Sequence, residues 1–266
     1  MNQVALMLTI AGISIWVLFT LAWVIQLRTK NGAIADVAWA FSFPMMTLVY
    51  WLMSDHVGMR QVLLLSMVSL WGLRLAIYLF GRTIKEKEDS RYTALRIQWG
   101  VRHNFYMLRF YYFQATFAVI LSIPFALMMM NGNNALGVLD AIGMVLWSIG
   151  LTGETLADKQ LKDFKSAEEN KRKICDYGLW HYSRHPNYFF EWLIWIAYFI
   201  MALSSPYGWI SIICPLAMLF FLTKVTGIPY TEAHMLKTRG VAFTHYQQST
   251  SAFIPLPKKK SNHYVV

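Results

Sequence analysis

Apolar residues along this chain gather into seven runs, at about 4–27, 33–53, 61–81, 105–130, 135–157, 187–204 and 207–226. Each is near the ~20 residues an α-helix needs to cross the hydrocarbon of a bilayer. Three of the polar stretches between runs are short: Ser54–Arg60, Asn131–Asn134 and Ser205–Pro206. The stretches 82–104 and 158–186 and the tail 227–266 are long. The pattern predicts an all-α, polytopic membrane protein with seven transmembrane helices, forming a single membrane-embedded domain over residues 1–266. The first run has no basic flank before it and no clear small-x-small cleavage site, and reads as a retained span. In the tail, Gly227-Ile228-Pro229 breaks the last run, a helix from Pro229 stops at Arg239-Gly240, a second short helix follows near 241–249, and 250–257 is extended.

Charge assigns the sides. The chain is 56% hydrophobic and only 14% charged, too few charges for an ordinary soluble surface. Its formal charge of +10 could suggest a nucleic-acid partner, but the distribution argues otherwise. With the N-terminus outside and the C-terminus cytosolic, every Lys and Arg except Arg60, Arg74 and Arg109 falls on the inner side. That is the positive-inside asymmetry, so the basic excess is topology, with membrane lipids as partners and Lys258–Lys260 resting at anionic headgroups. Such a topology suits a bacterial inner membrane or the endoplasmic reticulum, with any active site facing the cytosol. Two cysteines, Cys175 and Cys214, make no disulfide framework, and no CxxC or HExxH offers a metal site. A Gly-x-Gly-x-x-Gly fingerprint, a P-loop and a nucleophile elbow are all absent, so a dinucleotide would not bind through a Rossmann unit.

Polar residues inside the runs carry the candidate chemistry, because an ionisable group in a membrane is expensive unless it is used or paired. Asp36, Arg74, Tyr78, Gln114, Glu154, Asn187 and Glu191 all fall in the inner halves of their runs, which predicts a polar cavity open to the cytosol; Asp140, at an outer end, is the exception. Asn187, Glu191 and Trp195 stand at i, i+4 and i+8 and share a helix face, as do Glu154 with Asp158, and Trp71 with Arg74 and Tyr78. Most of the eleven Trp and fifteen Met read as interfacial or packing residues.

The stretch Gly178-Leu179-Trp180-His181-Tyr182-Ser183-Arg184-His185-Pro186-Asn187-Tyr188, followed by Glu191, resembles the signature of the steroid 5-alpha-reductase family, in its bacterial-type branch. Trp71-Gly72-Leu73-Arg74-Leu75 with Glu88-Asp89-Ser90-Arg91-Tyr92, Gly153-Glu154 with Ala157-Asp158-Lys159-Gln160-Leu161, and the tail Gly227-Ile228-Pro229, Glu232, Tyr246 and Thr250-Ser251-Ala252-Phe253-Ile254-Pro255 are similar too, so that the likeness covers roughly 30–257. The resemblance implies a reductase that uses NADPH to saturate a carbon–carbon double bond conjugated to a ketone, in a lipophilic substrate entering from the bilayer. It implies cofactor contacts from Arg91, Tyr92, Glu154, Asp158, Tyr182, Arg184, His185, Asn187, Glu191 and Tyr246. Where the family grips a steroid ketone with Glu and Tyr, this chain offers Asp36 and Trp71. The expectation is therefore Asp36 and Tyr78 as catalytic acid and partner, with Trp71, Arg74, Gln114 and Trp195 against the substrate. Arg-His-Pro alone also occurs in membrane isoprenylcysteine methyltransferases, which leaves an S-adenosylmethionine-dependent methyltransferase as the competing reading, and a non-enzymatic scaffold or small transporter behind it.

Overall fold

The computed structural model describes residues 2–55, 57–85, 88–133, 135–171 and 173–259. Lys87, Asn134, Arg172 and Lys260, which entered the loop and charge readings above, lie outside the described residues. Among the described residues there are eleven α-helices and no strand. They are α1 (Asn2–Thr29), α2 (Ile34–Leu52), α3 (Met59–Lys85), α4 (Ser90–Trp99), α5 (His103–Leu121), α6 (Ile123–Met129), α7 (Val138–Ser166), α8 (Pro186–Ala202), α9 (Ile213–Phe220), α10 (Ile228–Arg239) and α11 (Val241–Ser249). Five helical stretches are long and apolar enough to cross a membrane: Gln3–Thr29, Ile34–Leu52, Met59–Lys85, Ser90–Met129 and Gly208–Arg239. The chain is a multi-pass membrane protein.

Several runs end where backbone chemistry, not hydropathy, ends them. The run at 105–130 is two helices, because Pro124 in the first turn of α6 has no N–H to carry α5 onward past Ser122. The run at 135–157 continues as helix to Ser166, so Asp158 and the lysines after it ride on α7, not on a loop. The last run holds only eight α-helical residues, Ile213–Phe220, between a 3₁₀ turn at Gly208–Ile212 and a π turn at Phe221–Val225. The tail matches expectation: Pro229 lies in the first turn of α10, and Gly240, at φ +53°, ends it.

The described residues form two compact units: Met1–Ala141 with Phe199–Ser211, and Ile142–Tyr198 with Ile212–Val266. In the first, small residues bring α2 and α3 together. A Cβ on Gly72 would stand 2.6 Å from Pro44 Cδ and 3.0 Å from Ala40 O, so only glycine permits this approach. Ala40 O is also the carbonyl that Pro44 leaves without its helical donor. Phe43, Trp71 and Phe125 fill the contact, all fully buried. The far end of this unit is closed by Arg60 and Asp140, with side chains 2% and 1% exposed. Arg60 donates through Nε at 3.0 Å and Nη2 at 2.7 Å to the two oxygens of Asp140, and also to Asn133 O and Ala135 O. Thus the one basic residue placed in an outer loop and the one misplaced carboxylate are a structural pair. In the second unit α7 packs antiparallel on α8, with Gly150 and Gly153 against Ile194 and Phe190; a Cβ on Gly153 would lie 2.4 Å from the Phe190 ring.

Candidate functional site

The first unit carries a polar cluster around the start of α2. Asp89 caps α4, accepting from Arg91 N at 3.0 Å, and takes Arg82 Nη2 at 2.8 Å on its other oxygen. Burial acts to raise its carboxyl, yet the hydrogen bonds and charge of Arg91, with the charge of Arg82, hold it below its ordinary value. Arg91 then reaches across to Asp36, Nη2 to Oδ2 at 2.9 Å, while the Tyr92 hydroxyl donates to Asp36 Oδ1 at 2.6 Å. Gln114 Nε2 approaches the Tyr92 hydroxyl at 3.5 Å. Behind them Glu88 binds Gly32 N at 2.7 Å and Arg96 at 2.8 Å, and Arg96 holds Gln26 Oε1 at 3.0 Å. The ring of Tyr92 sits where Gly32 has no side chain, and a Cβ there would be 2.6 Å from it.

This geometry gives the expected site residues partners within the chain. Asp36 is an acceptor for Arg91 and Tyr92, and its tyrosine partner is Tyr92 of α4 where Tyr78 of α3 was expected. Arg91 is hydrogen-bonded to Asp36 and Asp89, and Tyr92 to Asp36. Trp71 is a core residue against Phe43. Arg74 lines an open groove of about 450 Å³ with Ser69, Leu70, Leu73 and Ile77, and Tyr78 lies half-buried one turn on.

The second unit carries a polar seam. Trp147 Nε1 donates to Tyr198 at 3.0 Å, and Asn187 Nδ2 approaches Asp158 Oδ1 at 3.3 Å. Glu154 is seven residues past Trp147 and Glu191 seven before Tyr198, so this antiparallel register sets the two carboxyls level with one another. Glu154, Asp158 and Glu191 are buried, at 3, 6 and 7% exposure. Glu191 accepts from Trp195 Nε1 one turn along, at 3.0 Å, so Trp195 supports a carboxylate. Helical spacing had put Glu154 with Asp158, and Asn187 with Glu191 and Trp195; only the packing of α7 on α8 joins the two sets.

The Arg-His-Pro loop leads into this seam and is held by α7 and the tail. Tyr177 donates to Gln160 O at 2.7 Å, Leu179 N to Gln160 Oε1 at 3.0 Å and Trp180 Nε1 to Ala157 O at 2.9 Å. Gly178, at φ +59°, permits the turn and leaves room for the Gln160 side chain. Arg184 Nε binds Glu232 at 2.7 Å, Nη1 binds Gln247 O and Thr250 O, and His185 Nε2 lies 3.2 Å from the same Glu232 oxygen. Backbone bonds Arg184 N to Ser251 O and Leu256 N to Tyr182 O lay residues 250–257 along the loop. Tyr246 donates to the carbonyls of Trp180 and Ser183, so it pins the loop. Arg184, His185 and Tyr246, expected on a cofactor, take part in this clamp; the Tyr182 side chain is exposed. Glu232 is the hub that spacing could not reveal, since its partners His185 and Arg184 are 47 and 48 residues away and Gln247 is 15 away. Burial lowers the His185 imidazole; the hydrogen bond and charge of Glu232 oppose this without cancelling it, and the Arg184 charge adds to the lowering. Burial pushes the Cys175 thiol up to about 11, which makes it an inert packing group. Among the described residues no group of His, Cys, Asp and Glu is arranged to hold a metal.

An all-helical, multi-pass protein with buried carboxylates on packed helices is the class that fold and site define. The comparisons give the particular family. The model described as "Protein of unknown function (DUF1295)" matches residues 22–250, and the chain belongs to that family. It is similar to "Uncharacterized protein C594.04c" of Schizosaccharomyces pombe (strain 972 / ATCC 24843), 27% identical over 214 residues, covering 70% of this chain and 61% of the relative. The chain thus spans about three fifths of the length of that curated relative. No solved structure matches.

Proposed function

We propose that this chain is an NADPH-dependent reductase of the steroid 5-alpha-reductase type, acting on a double bond conjugated to a ketone in a lipophilic substrate. The observation that carries this reading is the α7–α8 seam: Glu154, Asp158, Glu191 and Asn187, buried together on two packed helices. Buried carboxyls need hydrogen-bond donors. A nicotinamide carboxamide and ribose hydroxyls supply donors, so the seam fits the nicotinamide–ribose half of the cofactor. Arg91, Arg184 and His185 do not fit the phosphates as they stand, being engaged with Asp36, Asp89 and Glu232. Lys159, Lys162 and Lys165 are exposed cations further along α7, past the seam. In this reading α7 (29 residues) and α8 (17 residues) complete seven spans. The positive-inside distribution then supports an outer N-terminus and a cytosolic C-terminus, in a bacterial inner membrane or the endoplasmic reticulum.

Bound NADPH supplies the hydride. The chain supplies acceptors that orient the nicotinamide end and a donor for the charge that grows on the ketone oxygen. In the first unit the Tyr92 hydroxyl, held by Asp36 beside Arg91, is a hydrogen-bond donor of the kind such a ketone requires. Such a donor is typically worth ~10²–10³ in rate. Thermal unfolding of the purified full chain with NADPH or S-adenosylmethionine tests the proposal. Stabilisation by NADPH that Glu154→Gln weakens is expected. Stabilisation by S-adenosylmethionine alone would make it a methyltransferase, and stabilisation by neither would remove the enzyme reading.

A further inference from the structure

Among the described residues of the Asp36 cluster, Gln26 and Gln114 each keep a buried side-chain atom without a hydrogen-bond partner, and only at Gln114 is that atom an acceptor. Tyr92 has a single proton, and its 2.6 Å approach to Asp36 shows where that proton goes. The Tyr92 oxygen is therefore an acceptor toward Gln114, so the amide must turn its Nε2 to Tyr92, as it does at 3.5 Å. That orientation leaves Gln114 Oε1 buried with no hydrogen-bond partner among the described residues. A buried acceptor without a donor is costly and is rarely kept in a folded protein. Flipping the amide would not relieve it, because two oxygen acceptors would then face each other. What completes this site is a donor.

We infer that the Tyr92–Gln114 corner binds a hydroxyl group of a lipophilic molecule, donating to Gln114 Oε1. A hydroxyl suits the place for two reasons. It is the donor whose transfer into a membrane-spanning segment costs least, since an amine would carry a charge there. It also brings its own proton, so it answers Gln114 Oε1 while the single Tyr92 proton is left for a ketone oxygen, whereas a ketone alone leaves Gln114 unanswered. The inference rests on the reading of the chain as a reductase of lipophilic substrates, and it narrows the substrate class to hydroxylated lipids.

The test uses the full chain in phosphatidylcholine nanodiscs, titrated with farnesol, its methyl ether and farnesylamine, with binding read from tryptophan fluorescence. The alcohol should bind about tenfold more tightly than the ether, the value of one hydrogen bond to a buried acceptor. Gln114→Met should abolish that preference while leaving ether affinity unchanged, which also shows that the variant is folded. Equal affinity for alcohol and ether in the unaltered protein would overturn the inference, as would a preference for the amine or one that survives in Gln114→Met. NADPH binding is measured on the same samples. Binding of NADPH without hydroxyl discrimination sinks this inference alone; discrimination without NADPH binding sinks the reductase reading alone.

Discussion

The Arg60–Asp140 pair offers the sharpest test of how this fold is held. Both side chains are almost wholly buried, and the guanidinium is bidentate on the carboxylate. Asp140→Ala removes one partner and leaves a buried cation whose remaining acceptors are Asn133 O at 2.6 Å and Ala135 O at 2.7 Å. Breaking a buried pair from one side costs about 3–5 kcal/mol, and the two surviving carbonyl contacts place this case toward the lower end. Arg60→Met should cost more, since it strands Asp140 with Gly137 N as its donor and leaves the two loop carbonyls unpaired. The double variant, Arg60→Met with Asp140→Leu, removes both charges and should lose about 2 kcal/mol less than the sum of the single losses. Chemical unfolding of the protein in detergent, followed by circular dichroism, reads all three. A single-variant cost below about 1 kcal/mol, or strict additivity in the double, would mean that the pair behaves as a solvated surface contact and that the burial argument fails.

Tyr92→Phe removes a 2.6 Å bond to a carboxylate and should cost about 1.5–3 kcal/mol in the same unfolding assay. If the proposed chemistry holds, it also lowers turnover at least ~10²-fold, and unchanged turnover with intact NADPH binding would clear Tyr92 of the role. Gly153→Ala drives a methyl into the Phe190 ring and should cost about 1–3 kcal/mol and weaken NADPH binding, whereas Gly81→Ala, which meets nothing within 4 Å, should do neither. The tail clamp should loosen in acid. His185 has a lowered pKa in the fold, so the unfolded chain binds the proton first as pH falls through about 6.5. Stability therefore rises with pH below that point and levels off above it. Hydrogen exchange of residues 228–257 between pH 5 and 7 should show this, and His185→Phe, which keeps the stack on Tyr188, should flatten it.

Periodicity and charge by themselves determined that this is an all-helical membrane chain, because a bilayer forces long apolar runs and admits little else. They also determined the order of the tail, where Pro229 and Gly240 act through backbone chemistry local to their own positions. The candidate polar residues were legible for the same reason: Asp36, Glu154 and Glu191 stand out against an apolar background wherever they point. Which partners they take was not legible, since Asp36 meets Tyr92 across 56 residues and Arg184 meets Glu232 across 48. Spacing reports neighbours on one helix, and the resemblance assigned Arg91, Tyr92, Arg184, His185 and Tyr246 to a cofactor without knowing what else they touch. Only tertiary packing decided that their donors go to the chain's own carboxylates and carbonyls. A buried charge is tolerated only when something answers it, and the fold determines what is close enough to do so.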